Sequence, residues 1–290
     1  MQPKILQFGP ASEAKFIDIN SRGEFSGSFL KKMAIIKSKK EIKLMGEGGK
    51  ILSSILDMVI KEVKVGVNIK DLDILAENLI VNRGGKPAFK SYKGHKDDPP
   101  FPSTMCISVN NEVVHGDGTR SVVLKEGDIV DFDIGMRYPA KDGLYTDMSR
   151  TVSVGKISED IKKLIQITKK SLELGIEQVR PGNKIKDISR AVQECVESQG
   201  FSVVKRLVGH GVGHEVHEEP MVPNFIEKKW GNIELKEGMT LAIEPMVNIG
   251  GSDIKTAKDG WTVITKDGSL SAHFEHTVAV TRDGYKILTK

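Results

Sequence analysis

The chain has 290 residues, with 43 Lys and Arg against 39 Asp and Glu and a formal charge of +4, too small and too mixed a balance to argue for nucleic acid or a membrane surface. At 31.9 kDa it can bury about three quarters of its extended surface, so one or two domains can fold without the help of a disulfide or metal. Two cysteines, Cys106 and Cys195, exclude a disulfide framework and a cysteine-based zinc module, and neither a ~18-residue apolar span nor a signal-peptide stretch is present, so a soluble, cytosolic setting is expected.

Residues 1–32 carry no hydrophobic period and read as a flexible N-terminal extension to a single domain over 33–290. Ordered structure is expected from Ser38, because Ser38-Lys39-Lys40-Glu41 has capping-box spacing. Ile42, Met45, Leu52, Leu56, Val59 and Val63 then keep a helical stripe. A second helix fits Asp71 to Arg83, with Leu72, Leu75 and Leu79 on one face and Gly84 as its stop. A third follows Ser158, through Ile161, Leu164, Ile165, Thr168, Leu172 and Ile176. A fourth runs near Ile185 to Ser198 and closes at Gly200. The intervening runs rich in Val, Ile, Thr and Phe read as strands. Their blockwise order gives an α+β class.

Two echoes run through the chain. Val63-Lys64-Val65-Gly66-Val67-Asn68-Ile69-Lys70-Asp71 returns 116 positions later as Val179-Arg180-Pro181-Gly182-Asn183-Lys184-Ile185-Lys186-Asp187. Leu124-Lys125-Glu126-Gly127 returns 111 positions later as Leu235-Lys236-Glu237-Gly238. Glycine-bearing turns look alike, so either match alone could be chance. Two in order at nearly one offset favour a duplicated half, with a ligand site between the halves.

The second offset also lays Asp133 on Glu244. Each half therefore supplies one imidazole and two acids: His115, Asp133 and Asp147, then His217, Glu244 and Glu275. In Ile129-Val130-Asp131-Phe132-Asp133-Ile134 the two aspartates share one face of a strand. An ordinary half-exposed strand with solvated acids remains an alternative for that segment. Glu244, in Ala242-Ile243-Glu244-Pro245-Met246, and Glu275, in Phe274-Glu275-His276-Thr277-Val278, interrupt strongly apolar runs with no Lys or Arg nearby. A buried ionised carboxylate is costly unless paired or metal-bound. Four such groups match two divalent cations in charge, and carboxylates with an imidazole suit Mn, Fe, Co or Zn. Two such ions ~3.5–4 Å apart can share a water, lower its pKa and polarise a carbonyl. His210, His214 and His217, three of the seven histidines, crowd Gly209-His210-Gly211-Val212-Gly213-His214-Glu215-Val216-His217-Glu218-Glu219-Pro220. On an extended chain His210 and His214 would share a face and His217 would point away. A glycine loop with solvated histidines is the plain alternative.

These segments, with Ser269-Leu270-Ser271-Ala272-His273-Phe274-Glu275-His276-Thr277, Val109-Asn110-Asn111-Glu112-Val113-Val114-His115-Gly116 and Asp147-Met148-Ser149-Arg150-Thr151, resemble the type I methionine aminopeptidases over roughly residues 33–285. The resemblance implies the pita-bread (creatinase/aminopeptidase-like) fold, two pseudo-symmetric halves around a curved antiparallel sheet. It implies two divalent ions per chain (Co, Mn, Fe or Zn) held by Asp133, Asp147, His210, Glu244 and Glu275, with Asp147 and Glu275 bridging. His115 and His217 would contact the substrate amide and stabilise the tetrahedral intermediate. Glu244 would also shuttle a proton, and Phe101, Cys106, Val216 and Trp261 would line a methionine pocket. The implied activity is removal of initiator methionine from nascent polypeptides with a small second residue. The enzyme would be a cytoplasmic monomer, transiently near ribosomes, with no membrane and no specific nucleic acid among its partners. The chain departs from the shorter relatives by an insertion around 96–102, by His214 where many have Arg, and by the 14-residue spacing of Asp133 and Asp147. No N-terminal zinc-finger extension is present. His95, His273 and His276 are read as structural or surface residues. A proline-directed peptidase of the same fold (aminopeptidase P or prolidase) and a non-catalytic binding relative are the competing readings.

Overall fold

Ser38 starts helix α1 (Lys39–Lys61) through the expected capping box: its hydroxyl accepts from the Glu41 N–H, and the Glu41 carboxylate accepts from the Ser38 N–H at 2.7 Å. The computed structural model describes residues 35–94 and 99–290. The extension at 1–32, His95 and the start of the 96–102 insertion lie outside the described residues. α1 buries Met45, Leu52, Ile55, Leu56 and Val59, and with them Gly46, Gly48 and Gly49. The glycines let the helix lie directly on its neighbours. A Cβ on Gly49 would collide with the Leu288 carbonyl, and one on Gly48 would meet the Tyr138 Cβ at 2.9 Å.

Helix α2 (Ile69–Asn82) begins two residues before the expected Asp71, because the Asn68 side chain caps the Lys70 N–H at 3.1 Å. Helix α3 (Glu159–Glu177) starts at the Ser158 cap. Helix α4 (Ile185–Glu197) starts where the Asp187 carboxylate accepts from the Lys184 N–H at 2.8 Å.

The sequence echoes touch each other, and they do so in the same way in both halves. Gly66 N–H donates to Leu124 O at 2.8 Å, and Gly182 N–H to Leu235 O at 3.2 Å. In return Leu124 N–H donates to Val67 O at 2.8 Å, and Leu235 N–H to Asn183 O at 2.7 Å. Gly66 and Gly182 have φ of +89° and +88°, and no neighbour crowds either one. The backbone turn itself, and no lack of space, requires glycine at both sites.

The strands of the first half are β1 (Lys86–Pro87), β2 (Met105–Val109), β3 (Glu112–Val114), β4 (Ile129–Tyr138) and β5 (Leu144–Ser153). Those of the second half are β6 (Ser202–Val203), β7 (Gly209–Gly211), β8 (Glu218–Val222), β9 (Thr240–Ile243), β10 (Met246–Asn248), β11 (Ile254–Thr256), β12 (Val263–Thr265), β13 (Ser271–Thr281) and β14 (Gly284–Ile287). An 11-stranded sheet carries the path β1-β4-β5-β13-β9-β7-β8, and β11-β12-β3 form a second, three-stranded sheet. The pairings along the path are antiparallel.

One face of the large sheet is covered by helices. Leu52, Leu56 and Ile80 pack on Phe132 and Ile134, and Leu172, Ile176 and Ile188 pack on Leu241, Ile243 and Val278. Val130, Phe132 and Ile134 thus point to helices, and Asp131 and Asp133 to the opposite face, as the two-residue period requires. That opposite face is not solvated, since the two aspartates are 3% and 8% exposed. Among the described residues, no helix is long and apolar enough to cross a membrane.

Candidate metal centre

Consecutive strands of the sheet path each deliver one polar side chain to a common cavity. Asp133 comes from β4, Asp147 from β5, Glu275 from β13, Glu244 from the residue after β9, and His210 from β7. All five line one cavity, together with His115, His217 and Cys106. Ligand atoms of Asp147, His210 and Glu275 lie within 4.8 Å of one another, and all three residues are buried. His210 Nε2 stands 3.3 Å from Glu244 Oε1 and 3.7 Å from Asp147 Oδ2.

This arrangement suits a cation. His210 Nδ1 is 2.9 Å from the Gly211 carbonyl, an acceptor, so Nδ1 carries a proton and Nε2 is the ring atom left facing the two carboxylates, where a cation would be bound. Asp133 Oδ1 is buried with no hydrogen-bond partner. Among the described residues, no Lys or Arg pairs with Asp133, Asp147, Glu244 or Glu275. Burial first, and then the neighbouring acids, push Asp133, Glu244 and Glu275 well above the usual carboxylate range. Burial also raises Asp147, opposed by His210 and by the Thr277 hydroxyl. Acids forced together without a counter-charge are the donor set that hard and borderline divalent ions bind.

His115 sits at φ +59°, an uncommon left-handed conformation for a side-chain-bearing residue. Burial, reinforced by His273, lowers its pKa to about 3, so its imidazole is neutral at working pH. His217 reaches the same cavity, contrary to the extended-chain expectation. The chain bends over residues 213–217, with Gly213 at φ +146°, and the His217 ring lies 4.5 Å from that of His210, edge to face. His214 instead turns outward to Glu41 at 3.0 Å. His217 Nδ1 lies 2.7 Å from the Tyr92 hydroxyl.

Beside the acids lies an apolar cluster of Ala88, Phe89, Phe101, Cys106, Val216 and Trp261. Phe101 and Trp261 meet edge to face with centroids 5.3 Å apart. Phe101 N–H donates to Tyr92 O at 2.8 Å and Ser91 N–H returns to Phe101 O at 2.8 Å, so the described end of the insertion is tied into this apolar cluster. Of the four residues expected to line a methionine pocket, Cys106 lines the cavity itself, and Phe101, Val216 and Trp261 stand in the cluster beside it. Burial, then Asp133 and Asp131, hold the Cys106 thiol well above its ordinary pKa, so it meets the cavity as a neutral thiol.

The sequence reading gave no site role to Phe89, Tyr92, Asp131, His273 or Thr277. Asp131 turns from the cavity and accepts from Ser149 Oγ at 2.6 Å and Thr151 Oγ1 at 3.2 Å, with His273 Nδ1 3.2 Å away. His273 is 1% exposed, so the surface reading does not hold and the structural one does. His273, Glu275 and Thr277 share one face of β13 by strand period, a signal the sequence offered. Nothing local pointed to Tyr92 or Phe89.

The sequence pattern of metallopeptidase family M24 matches residues 43–282. The chain belongs to this family. The M24 chain is 48% identical over 257 residues to the methionine aminopeptidase of Clostridium perfringens, covering 89% of itself and 99% of that protein. It is 44% identical to methionine aminopeptidase 1 of Bacillus subtilis, covering 89% of itself and 100% of that protein. The crystal structure of methionine aminopeptidase from Rickettsia prowazekii superposes with a TM-score of 0.83 at 40% identity, over 89% of this chain and 100% of that one. The prolidase from Pyrococcus horikoshii OT3 gives 0.70 at 26% identity, over 89% of this chain and 64% of that one. The M24 chain thus has the pita-bread fold implied by its motifs, and the paired echoes are the internal trace of its two halves.

Proposed function

We propose that this M24 chain hydrolytically removes the initiator methionine from nascent polypeptides whose second residue is small. Divalent cations would be held by Asp133, Asp147, His210, Glu244 and Glu275. The observation carrying this reading is the convergence of five candidate ligands, four of them buried, and two further histidines on one cavity beside an apolar cluster. Two ions per chain, drawn from Mn, Fe, Co or Zn, match the charge of the four carboxylates. When bound, they supply Lewis-acid polarisation of the scissile carbonyl and a water of lowered pKa.

The chain's own groups do the rest. Glu244, 3.3 Å from His210 Nε2 in the cavity, takes a proton from the attacking water and returns it to the departing amine. His115, neutral because burial lowers it to about 3, binds the substrate amide without adding charge. With the Tyr92 hydroxyl 2.7 Å from its Nδ1, His217 presents Nε2 to the oxygen on which negative charge develops. Phe89, Phe101, Cys106, Val216 and Trp261 receive the unbranched thioether and keep water from it. The catalytic unit is read as one domain over 33–290. It acts in the cytoplasm as a monomer, transiently near ribosomes, with no membrane or specific nucleic acid partner.

Protein purified without added ions, analysed for metal and assayed on Met-Ala-Ser and Ala-Pro peptides, tests the reading. Methionine release from Met-Ala-Ser that rises with added Mn²⁺ or Co²⁺ is expected. Release from Ala-Pro alone would move the assignment to the prolidases, which have weaker support in likeness and length. Failure to bind any divalent ion would point to a non-catalytic relative.

A further inference from the structure

We propose that the buried Lys37–Glu218 ion pair, outside the cavity, is a positioning device for His217. Lys37 precedes α1, and its backbone N–H donates to Gly238 O at 2.8 Å, which pins this segment to the turn before β9. Its ammonium pairs with Glu218 Oε2, and the two side chains are 1% and 2% exposed. Burial lowers the Lys37 pKa, opposed by Glu218. The other Glu218 oxygen accepts from the backbone N–H groups of His214 at 2.6 Å and Glu215 at 3.0 Å. On the far side, Tyr145 N–H donates to Gly213 O at 2.7 Å. At Gly213 a Cβ would meet Lys37 Cε at 2.5 Å, so the lysine stem also packs directly under the bend. The loop between β7 and β8 is thereby fastened at both sides of the segment that carries Val216 into the apolar cluster and His217 into the cavity.

A carboxylate buried this deeply holds its place only while its counter-charge is present. Without Lys37, Glu218 is left buried without its partner and is driven out of this position, the two loop amides lose their ionic acceptor, and His217 loses its fixed approach. None of the five candidate ligands lies on this loop, so cation binding is untouched.

The activity arm of the test rests on the function proposed above; the exchange and metal arms do not. In Lys37→Met, hydrogen exchange at the His214 and Glu215 amides should quicken at least about tenfold while β13 amides keep their protection. Titration with Mn²⁺ alone should give unchanged affinity. The kcat for methionine release should fall about 10- to 100-fold. In a His217→Ala background, Lys37→Met should lower kcat by less than about twofold, because the effect passes through His217. Independent, multiplicative losses would overturn the proposal, as would unchanged amide exchange. Replacing both partners, Lys37→Met with Glu218→Met, removes the charges without leaving one unpaired and is expected to fold. Normal loop exchange and normal kcat in that double variant would also overturn it. If the unaltered protein releases no methionine, the exchange measurement still decides.

Discussion

Thr277 Oγ1 lies 2.8 Å from Asp147 Oδ1 and 2.9 Å from the Asp147 carbonyl, and it accepts from the Asp147 N–H at 3.0 Å. One hydroxyl on β13 thus fixes both the strand and the carboxylate of a residue on β5. Groups behind a ligand set its orientation and basicity. Thr277→Val keeps the shape and removes the oxygen. Mn²⁺ affinity measured by titration calorimetry is expected to fall about tenfold or more. Unchanged affinity would show that Asp147 needs no such support.

The acid cluster gives the metal-free protein a particular pH response. Asp133, Glu244 and Glu275 have carboxyl pKa values raised well above the ordinary range, chiefly by burial. Between the ordinary and the raised values the folded state binds more protons than the unfolded one, so their contribution to stability falls as pH rises. Cation binding needs the deprotonated groups and opposes that loss. The gap in Tm between Mn²⁺-loaded and EDTA-treated protein should therefore widen from about pH 5.5 to about pH 8. A gap that is constant or narrows with pH would contradict a cation-balanced cluster.

Glu244 stands 3.3 Å from His210 Nε2 and lines the same cavity as His115 and His217. Glu244→Gln preserves size while removing a charge and the capacity to carry a proton. Turnover of Met-Ala-Ser should drop by about 10²- to 10⁴-fold. Near-normal kcat with metal bound would refute the shuttle role.

Gly49 concerns stability alone. Alanine is the better helix former by up to about 1 kcal/mol in a helix interior, yet a Cβ there would run into the Leu288 carbonyl. The collision should prevail, and Gly49→Ala should destabilise by about 1–3 kcal/mol in urea titrations. A stabilised variant would mean that α1 can lift away from the C-terminal strand at no cost.

Capping boxes, glycine turns and lone acids inside apolar runs are local signals, and they were legible. Ser38 with Glu41, the turns at Gly66 and Gly182, and the five residues Asp133, Asp147, His210, Glu244 and Glu275 that line one cavity could all be named from residue type, spacing and family resemblance. Each depends on neighbours within a few positions or on a period of two. The two paired echoes reported a duplication whose reciprocal hydrogen bonds the structure then displayed.

What lay beyond the sequence were contacts between distant residues. Sequence period put Asp131 and Asp133 on one face, but packing decided that this face is closed, that Asp133 meets the cavity and that Asp131 turns to Ser149, Thr151 and His273. The bent stretch over residues 213–217 reversed the predicted facing of His214 and His217, because bent backbone does not keep an extended-chain alternation. Tyr92 behind His217 and Lys37 against Glu218 join positions 125 and 181 residues apart. The amino-acid order determined which side chains would be too costly to bury alone. Only the tertiary arrangement decided which of them meet, because pairing free energy depends on distance in space and carries no trace along the chain.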